Sequence, residues 1–263
     1  MDKINVYLRG LEKKILEKEA LLNENKQEPK VYKYYDLVMV VFVTVLILSN
    51  IASSAKIIDW GISIFGLPLA FDAGTLLFPI SYIFGDVLTE VYGFRRSRRV
   101  IWTGFAALAF SSLVLGLVRL MPGEAAWQGY AGQEAYNAIL GGVSSGGIVV
   151  ASLVAYLVGE FSNSVVLAKL KVLTQGRFLW MRTIGSTLVG EGIDTLFFVT
   201  IATLLGVFPW TIWASLVVSN YIFKVGIETM MTPATYWVVN KLKQKENEDY
   251  FDKDTKFKFF ALN

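Results

Sequence analysis

The run Leu37-Val38-Met39-Val40-Val41-Phe42-Val43-Thr44-Val45-Leu46-Ile47-Leu48 continues through Ser49-Asn50-Ile51-Ala52-Ser53-Ser54-Ala55 before its first charge, Lys56. A helix needs about 20 predominantly apolar residues to cross the hydrocarbon core of a bilayer. Leu37–Ile58 supplies them. Further runs of this kind lie near Leu69–Tyr92, Val100–Leu120, Gly141–Val165, Thr183–Gly206 and Trp210–Val239. Across all 263 residues the chain is 54% hydrophobic and 18% charged, where a soluble chain carries about 25% charged residues. Mean hydropathy is +0.48. These runs predict an all-α membrane protein with six transmembrane helices.

Basic residues set the orientation, because Lys and Arg accumulate in cytoplasmic loops. Residues 1–36 hold eight of them. Arg95, Arg96, Arg98 and Arg99 follow the second run, and Lys169, Lys171, Arg177 and Arg182 follow the fourth. Six Lys follow the last run, while the opposite side has only Lys56 and Arg119. Both termini are therefore expected in the cytoplasm. Trp60, Trp127, Trp210 and Trp213 fall at the expected outer boundary, and Trp102, Trp180 and Trp237 at the inner one, as interfacial aromatic belts do. The chain divides into a charged N-terminal segment (1–36), a six-helix transmembrane domain (37–240) and a cytoplasmic tail (241–263).

The first 36 residues lack the apolar core of a signal peptide. Ile4, Leu8, Leu11, Ile15 and Leu22 recur at heptad-like spacing, broken at Lys18. A solvated helix fits this pattern, and so does a short coil that would make a homodimer. In the tail, Lys256-Phe257-Lys258-Phe259-Phe260 mixes bases with aromatics, which suits either contact with an anionic leaflet or a disordered end. Cys and His are both absent. That excludes thiolate chemistry, Ser-His catalysis and HExxH metal sites. No P-loop is present either.

Ser49-Asn50, followed by Ala55-Lys56, recurs as Ser162-Asn163 followed by Ala168-Lys169, with the same internal spacing at an offset of 113 residues. The first copy lies on an outward-running span and the second on an inward-running one. Repeats of opposite direction suggest two inverted three-helix halves, an architecture of secondary transporters. The second and fifth spans each carry a carboxylate pair, Asp86 with Glu90 and Glu191 with Asp194. Inverted halves would bring these pairs together near the midplane.

A charge at the bilayer centre costs about 2.5–3.5 kcal/mol even on lenient insertion scales. Asp86, Glu90, Glu160, Glu191, Asp194, Lys224 and Glu228 all fall within or near the ends of spans, so they face a bundle interior or an aqueous cavity. The i,i+4 spacing of Lys224 and Glu228 predicts a structural ion pair. Asp86 and Glu90 could bridge to Arg95–Arg99 or contact a substrate. Glu191 and Asp194 have no basic residue close in sequence and are the strongest functional candidates. Asn50 and Asn163 could join helices or contact a ligand.

Carboxylates and amides of this kind suit a ligand rich in donors. A carboxylate can accept two parallel hydrogen bonds from the N–H and exocyclic NH2 of a guanine-like base. Phe71, Phe78, Tyr82, Phe84, Phe197, Phe198 and Tyr221 offer faces for stacking, although aromatics of a bundle more often serve packing and lipid contact.

The stretch Ser81-Tyr82-Ile83-Phe84-Gly85-Asp86-Val87-Leu88-Thr89-Glu90-Val91-Tyr92-Gly93-Phe94-Arg95-Arg96 resembles the signature of the queuosine precursor transporter family, also described as vitamin uptake transporters. Ser49-Asn50 with Lys56, Ser162-Asn163 with Ala168-Lys169, Ile193-Asp194-Thr195 with Phe197, and Lys224, Glu228 and Pro233 fit the same pattern. The resemblance covers about residues 37–245 and leaves the N-terminal segment outside. It implies six transmembrane helices in a prokaryotic cytoplasmic (inner) membrane. It also implies import of 7-deazaguanine bases such as the cyano- or aminomethyl-deazaguanines or queuine. The expected partners are then a small nucleobase-like substrate and the lipid bilayer, with no direct nucleic-acid contact and no cofactor. On this reading the substrate-binding candidates are Asn50, Asp86, Glu90, Asn163, Glu191 and Asp194.

Two alternatives stand beside it. One is the substrate-binding subunit of an ATP-driven vitamin importer, docked through small residues such as Ser49 and Ser53. The other is an intramembrane enzyme, since Phe84-Gly85-Asp86 is similar to the Gly-x-Gly-Asp motif of aspartyl intramembrane proteases. Ile83 stands where that motif has its first Gly, so the protein is not expected to be an enzyme.

Overall fold

The first apolar run folds as helix α1, Tyr35–Ala55, and ends where Lys56 turns extended. A computed structural model describes residues 30–64, 67–144 and 146–260 of the chain. The charged N-terminal segment lies, up to residue 29, outside the described residues, and so does its heptad-like stretch. From Tyr34 onward the chain forms one compact unit.

After α1 the structure departs from the expected run of helices. Strands β1 (Ile57–Ile64) and β2 (Leu67–Asp72) pair antiparallel, with Ile57 opposite Asp72 and Ile64 opposite Leu67. The register shifts between Asp59 and Ser63, where Gly61 adopts a positive φ of 64°. The β-branched Ile57, Ile58, Ile62 and Ile64 favour this extended state. The run expected to begin a helix at Leu69 is thus strand up to Asp72, followed by a 3-10 turn at Ala73–Leu76. Helix α2, Phe78–Tyr92, begins only there, with Pro79 in its first turn, where its missing N–H costs nothing.

The remaining elements are α3 (Phe94–Leu120), α4 (Ala125–Tyr130), α5 (Gly132–Ser144), α6 (Gly146–Leu173), α7 (Leu179–Leu204) and α8 (Trp213–Glu246). Apart from the hairpin, the regular elements among the described residues of the body are helical. Among the described residues, four stretches are long and apolar enough to cross a membrane: α1, α3, Gly132–Leu173 and α7. The other two expected spans are α2 and α8. At 15 residues, α2 measures about 22 Å at 1.5 Å per residue. The 34-residue α8 carries Lys224 and Glu228 in its interior.

Helix α2 occupies the centre, with every residue from Gly85 to Tyr92 buried, and it packs against α1, α3, α6 and α8. The most extensive helix pair is α6 with α7. Glycines allow that close approach. A Cβ on Gly190 would stand 2.7 Å from Asn163 Cβ, and one on Gly159 would stand 2.7 Å from Asp194 Cβ. Large apolar side chains such as Phe110, Leu113, Leu117, Leu188 and Met230 point outward, a surface suited to lipid rather than water.

The tail folds back onto the bundle instead of lying free. The Tyr250 N–H donates to the Val91 carbonyl at 3.3 Å, and the Phe94 N–H to Asp252 Oδ2 at 3.0 Å. Arg98 reaches the Lys258 carbonyl at 2.7 Å, and the Trp102 indole donates to that of Phe259 at 3.2 Å. The Phe259 ring stacks on Phe161 with centroids 4.2 Å apart. Of the aromatics expected to meet an anionic leaflet, Phe257 and Phe259 are thus packed against α3 and α6, whereas Phe260 is 78% exposed. Ser49, suggested as part of a docking face, is fully buried and donates to the Leu46 carbonyl of its own helix.

Candidate functional site

Tyr82, Asp86 and Glu90 stand four residues apart on α2, so they share one face of the helix. All three are buried. Opposite them are Glu160, Asn163 and Lys171 on α6, Arg182, Thr187, Glu191 and Asp194 on α7, and Lys224 and Glu228 on α8, all buried. Together they form two polar clusters along the bundle.

The first cluster surrounds Glu90. Arg182 Nη2 stands 2.7 Å from Glu90 Oε1, and Arg182 Nε donates to Oε2 at 3.3 Å. Lys243 Nζ lies 2.7 Å and Lys171 Nζ 3.5 Å from the same Oε1. Lys171 also donates to the Glu90 carbonyl at 2.5 Å, to Asp249 at 2.5 Å and to the Tyr250 carbonyl at 2.8 Å. Arg182 further donates to Thr174 and to the Arg177 carbonyl. Asp249 pairs with Lys243 at 2.8 Å. Burial raises the Asp249 carboxyl, but hydrogen bonds and charge from Lys171 and Lys243 outweigh it and hold the group below its ordinary value. Three cations and two carboxylates thus tie α2, α6, α7, α8 and the tail together.

The second cluster is rich in acid. Lys224 Nζ lies 2.6 Å from Asp194 Oδ2 and 3.0 Å from Glu191 Oε2. Its ammonium also sits 5.0 Å from the centre of the Phe78 ring. Asn163 Nδ2 donates to Asp86 Oδ1 at 2.8 Å, and Thr187 Oγ1 to Glu228 Oε1 at 2.5 Å. Several buried atoms here have no hydrogen-bond partner: both Glu160 oxygens, the Tyr82 hydroxyl, Asn163 Oδ1, Glu191 Oε1 and Glu228 Oε2. A narrow crevice beside this cluster is lined by Asp86, Glu228, Thr183, Thr187, Thr229 and Thr232. Among the described residues no three acidic side chains converge closely enough to hold a metal ion.

The structure corrects two pairings. Lys224 does not bond Glu228, its i,i+4 neighbour; it crosses to α7, where two carboxylates offer more compensation than one. Glu90 bridges to Arg182, Lys171 and Lys243 rather than to Arg95–Arg99. The Asp86–Glu90 and Glu191–Asp194 pairs are also not gathered into one site. Asp86 lies in the acidic cluster with Glu191 and Asp194, while Glu90 lies in the basic one. Asn163 joins the acidic cluster. Asn50 is buried and donates to the Leu46 carbonyl at 2.9 Å, one turn back on α1. Phe78 and Tyr82 remain at the cluster, whereas Phe197 is 40% exposed and faces outward. Lys171, Arg182 and Lys243 escaped selection because loop-flanking bases normally read as topology signals. Glu160 was visible as an intramembrane charge but had no sequence neighbour to give it a role.

The sequence profile described as "Putative vitamin uptake transporter" matches residues 72–238, which contain both clusters apart from Lys243 and Asp249. The "Probable queuosine precursor transporter" of Bacillus subtilis is 27% identical over 66% of this chain and 73% of its own. The "Queuosine precursor transporter" of Escherichia coli is 25% identical over 76% of this chain and 85% of its own. The "Probable queuosine precursor transporter" of Haemophilus influenzae is 25% identical over 63% and 67%. No solved structure matches at a significant level. With the profile spanning more than half of its residues, the chain belongs to the vitamin uptake transporter family, whose relatives here are bacterial proteins named for queuosine precursor transport.

Proposed function

We propose that this protein imports queuosine precursors, 7-deazaguanine bases, across the prokaryotic cytoplasmic membrane. The observation that carries the reading is the acidic cluster, where buried acceptors stand without donors inside a lipid-facing bundle. Burying such groups unpaired is costly, and a ligand with adjacent N–H and NH2 donors satisfies them. Asp86 and Glu228 line the crevice and take the guanine-like edge in this reading. Glu191 and Asp194, held by Lys224, flank it, and Asn163 adds an amide. The cyano- and aminomethyl-deazaguanines and queuine all belong to this chemical class.

Glu90 takes a different part. Its carboxylate is already met by three cations, so it braces the end of the pathway rather than gripping the base. The 22 to 2 bias of basic residues between alternate sides supports both termini, and with them the Glu90 network, lying at the cytoplasmic face. The Asn50 and Asn163 repeats support two inverted halves. The protein works as a transporter without catalysis of its own.

The test is a queuosine-auxotrophic host that expresses this chain and lacks any ATPase partner. Each deazaguanine is supplied in turn, and queuosine in tRNA is measured. Restored queuosine supports a stand-alone transporter. No restoration unless an ATPase is co-expressed would make the chain a subunit of an ATP-driven importer.

A further inference from the structure

Glu160 is 1% exposed, and neither of its carboxyl oxygens has a hydrogen-bond partner. Its Oε2 lies 2.9 Å from the place a Cβ on Gly85 would occupy, so it is pressed against the bare backbone of α2. The charged and titratable groups around it are almost all acids or phenols. Asp86 and Tyr82 face it from α2, Glu191 and Asp194 from α7, and Glu228 from α8. On its own helix stands Tyr156, whose hydroxyl is already donated to the Ile101 carbonyl. Among the described residues the cation of this cluster is Lys224, committed to Asp194 and Glu191.

Glu90 makes the contrast. It is as deeply buried, yet Arg182, Lys171 and Lys243 surround it. Two carboxyls in one bundle therefore sit in opposite environments, one among cations and the other among acids and phenols. An ionised Glu160 would be a buried charge with neither donor nor counter-ion, next to other acids. The remaining acids differ: Asp86 has Asn163, Glu228 has Thr187, and Glu191 and Asp194 share Lys224. A proton on Glu160 removes that uncompensated charge without needing any further partner.

We propose that Glu160 is a proton-carrying site that couples substrate import to proton entry, an inference that rests on the transporter reading above. In the closed bundle the carboxyl holds its proton, taken on the outer side from hydronium, whose O–H bond breaks to leave water as the carboxyl O–H bond forms. When the pathway opens inward, water reaches Glu160 and Tyr82. The O–H bond then breaks, and the proton leaves to cytoplasmic water along with the base. For a neutral base, one positive charge moves inward per cycle.

Two measurements on the full-length protein test this. The first uses purified protein in nanodiscs without substrate, recording the infrared carbonyl band of protonated carboxyls at neutral pH. The parent should show a band that Glu160→Gln loses and Glu160→Asp shifts. An unchanged band in Glu160→Gln overturns the proposal. The second uses proteoliposomes and cyano-deazaguanine. An acidic exterior should drive accumulation in the parent. Glu160→Gln should lose at least about tenfold of that accumulation while still exchanging preloaded base at a measurable rate. Accumulation by Glu160→Gln equal to the parent's, or accumulation driven by sodium instead of protons, overturns it as well. If the parent moves no deazaguanine but the Glu160 band is present, the proton site stands and the substrate reading falls.

Discussion

Lys224 Nζ on α8 sits 2.6 Å from Asp194 Oδ2 on α7, and both residues are buried. This cross-helix contact, with Glu191 at 3.0 Å, explains how a lysine is tolerated inside the membrane body. Removing one member of a buried pair costs about 3–5 kcal/mol, because the other charge is left uncompensated. Lys224→Met should therefore lower the thermal midpoint in detergent sharply. Adding Asp194→Asn and Glu191→Gln to it should recover much of the loss, whereas adding Glu228→Gln should not. Recovery with Glu228→Gln alone would restore the local i,i+4 pair as the structural one.

The Glu90 network predicts a stability defect rather than a binding defect. Glu90→Gln leaves Arg182, Lys171 and Lys243 with Asp249 as their one remaining carboxylate partner in the network. The loss should be about 3–5 kcal/mol, read as a fall in thermal midpoint and expression. Protein that survives should bind deazaguanine like the parent. A stable Glu90→Gln protein with weakened binding would move Glu90 into the substrate site.

Asp249 fastens the tail to Lys171 and Lys243. Its carboxyl is held below its ordinary value in the folded protein. The attachment is thus fully present above the unfolded value, about 3.9 for Asp, and is lost as pH falls through the lower folded value. Limited proteolysis at neutral pH should cut the tail of Asp249→Asn faster than that of the parent. The difference between the two should vanish under acid conditions below that range.

Gly190 lies where a Cβ would meet Asn163 at 2.7 Å. Gly190→Val should push α6 and α7 apart at the acidic cluster, and overpacking of this kind costs about 1–3 kcal/mol. Thermal melts of the purified variant measure it.

Hydropathy and basic-residue counts were enough to recognise a helical membrane body, because lipid exposure imposes long apolar runs regardless of detail. They ran the first two helices into Ile57–Ile58 and Leu69–Asp72, which are strand, since a short apolar run reads alike as buried helix or strand; only the β-branched Ile57, Ile58, Ile62 and Ile64 hinted at the hairpin. The acidic residues stood out one by one through their cost in lipid. Their partners did not, because Lys224 finds Asp194 30 residues away and Arg182 finds Glu90 92 residues away. Local spacing rules favoured Glu228 and Arg95–Arg99 instead. The docked tail was equally hidden, since several of its anchors are backbone carbonyls, those of Tyr250, Lys258 and Phe259, which any sequence possesses.

The central claim is that buried carboxylates hold the donor edge of a deazaguanine. Binding of cyano-deazaguanine to purified protein in nanodiscs tests it most directly, comparing the parent with Asp86→Asn, Glu228→Gln and Glu191→Gln. An analogue lacking the exocyclic amine serves as the control ligand. The parent should bind the deazaguanine, and either removing the amine or exchanging a carboxylate for an amide should weaken binding by at least about tenfold, or 1.4 kcal/mol. Equal affinity across all three variants and both ligands would contradict the account and assign recognition to backbone and stacking.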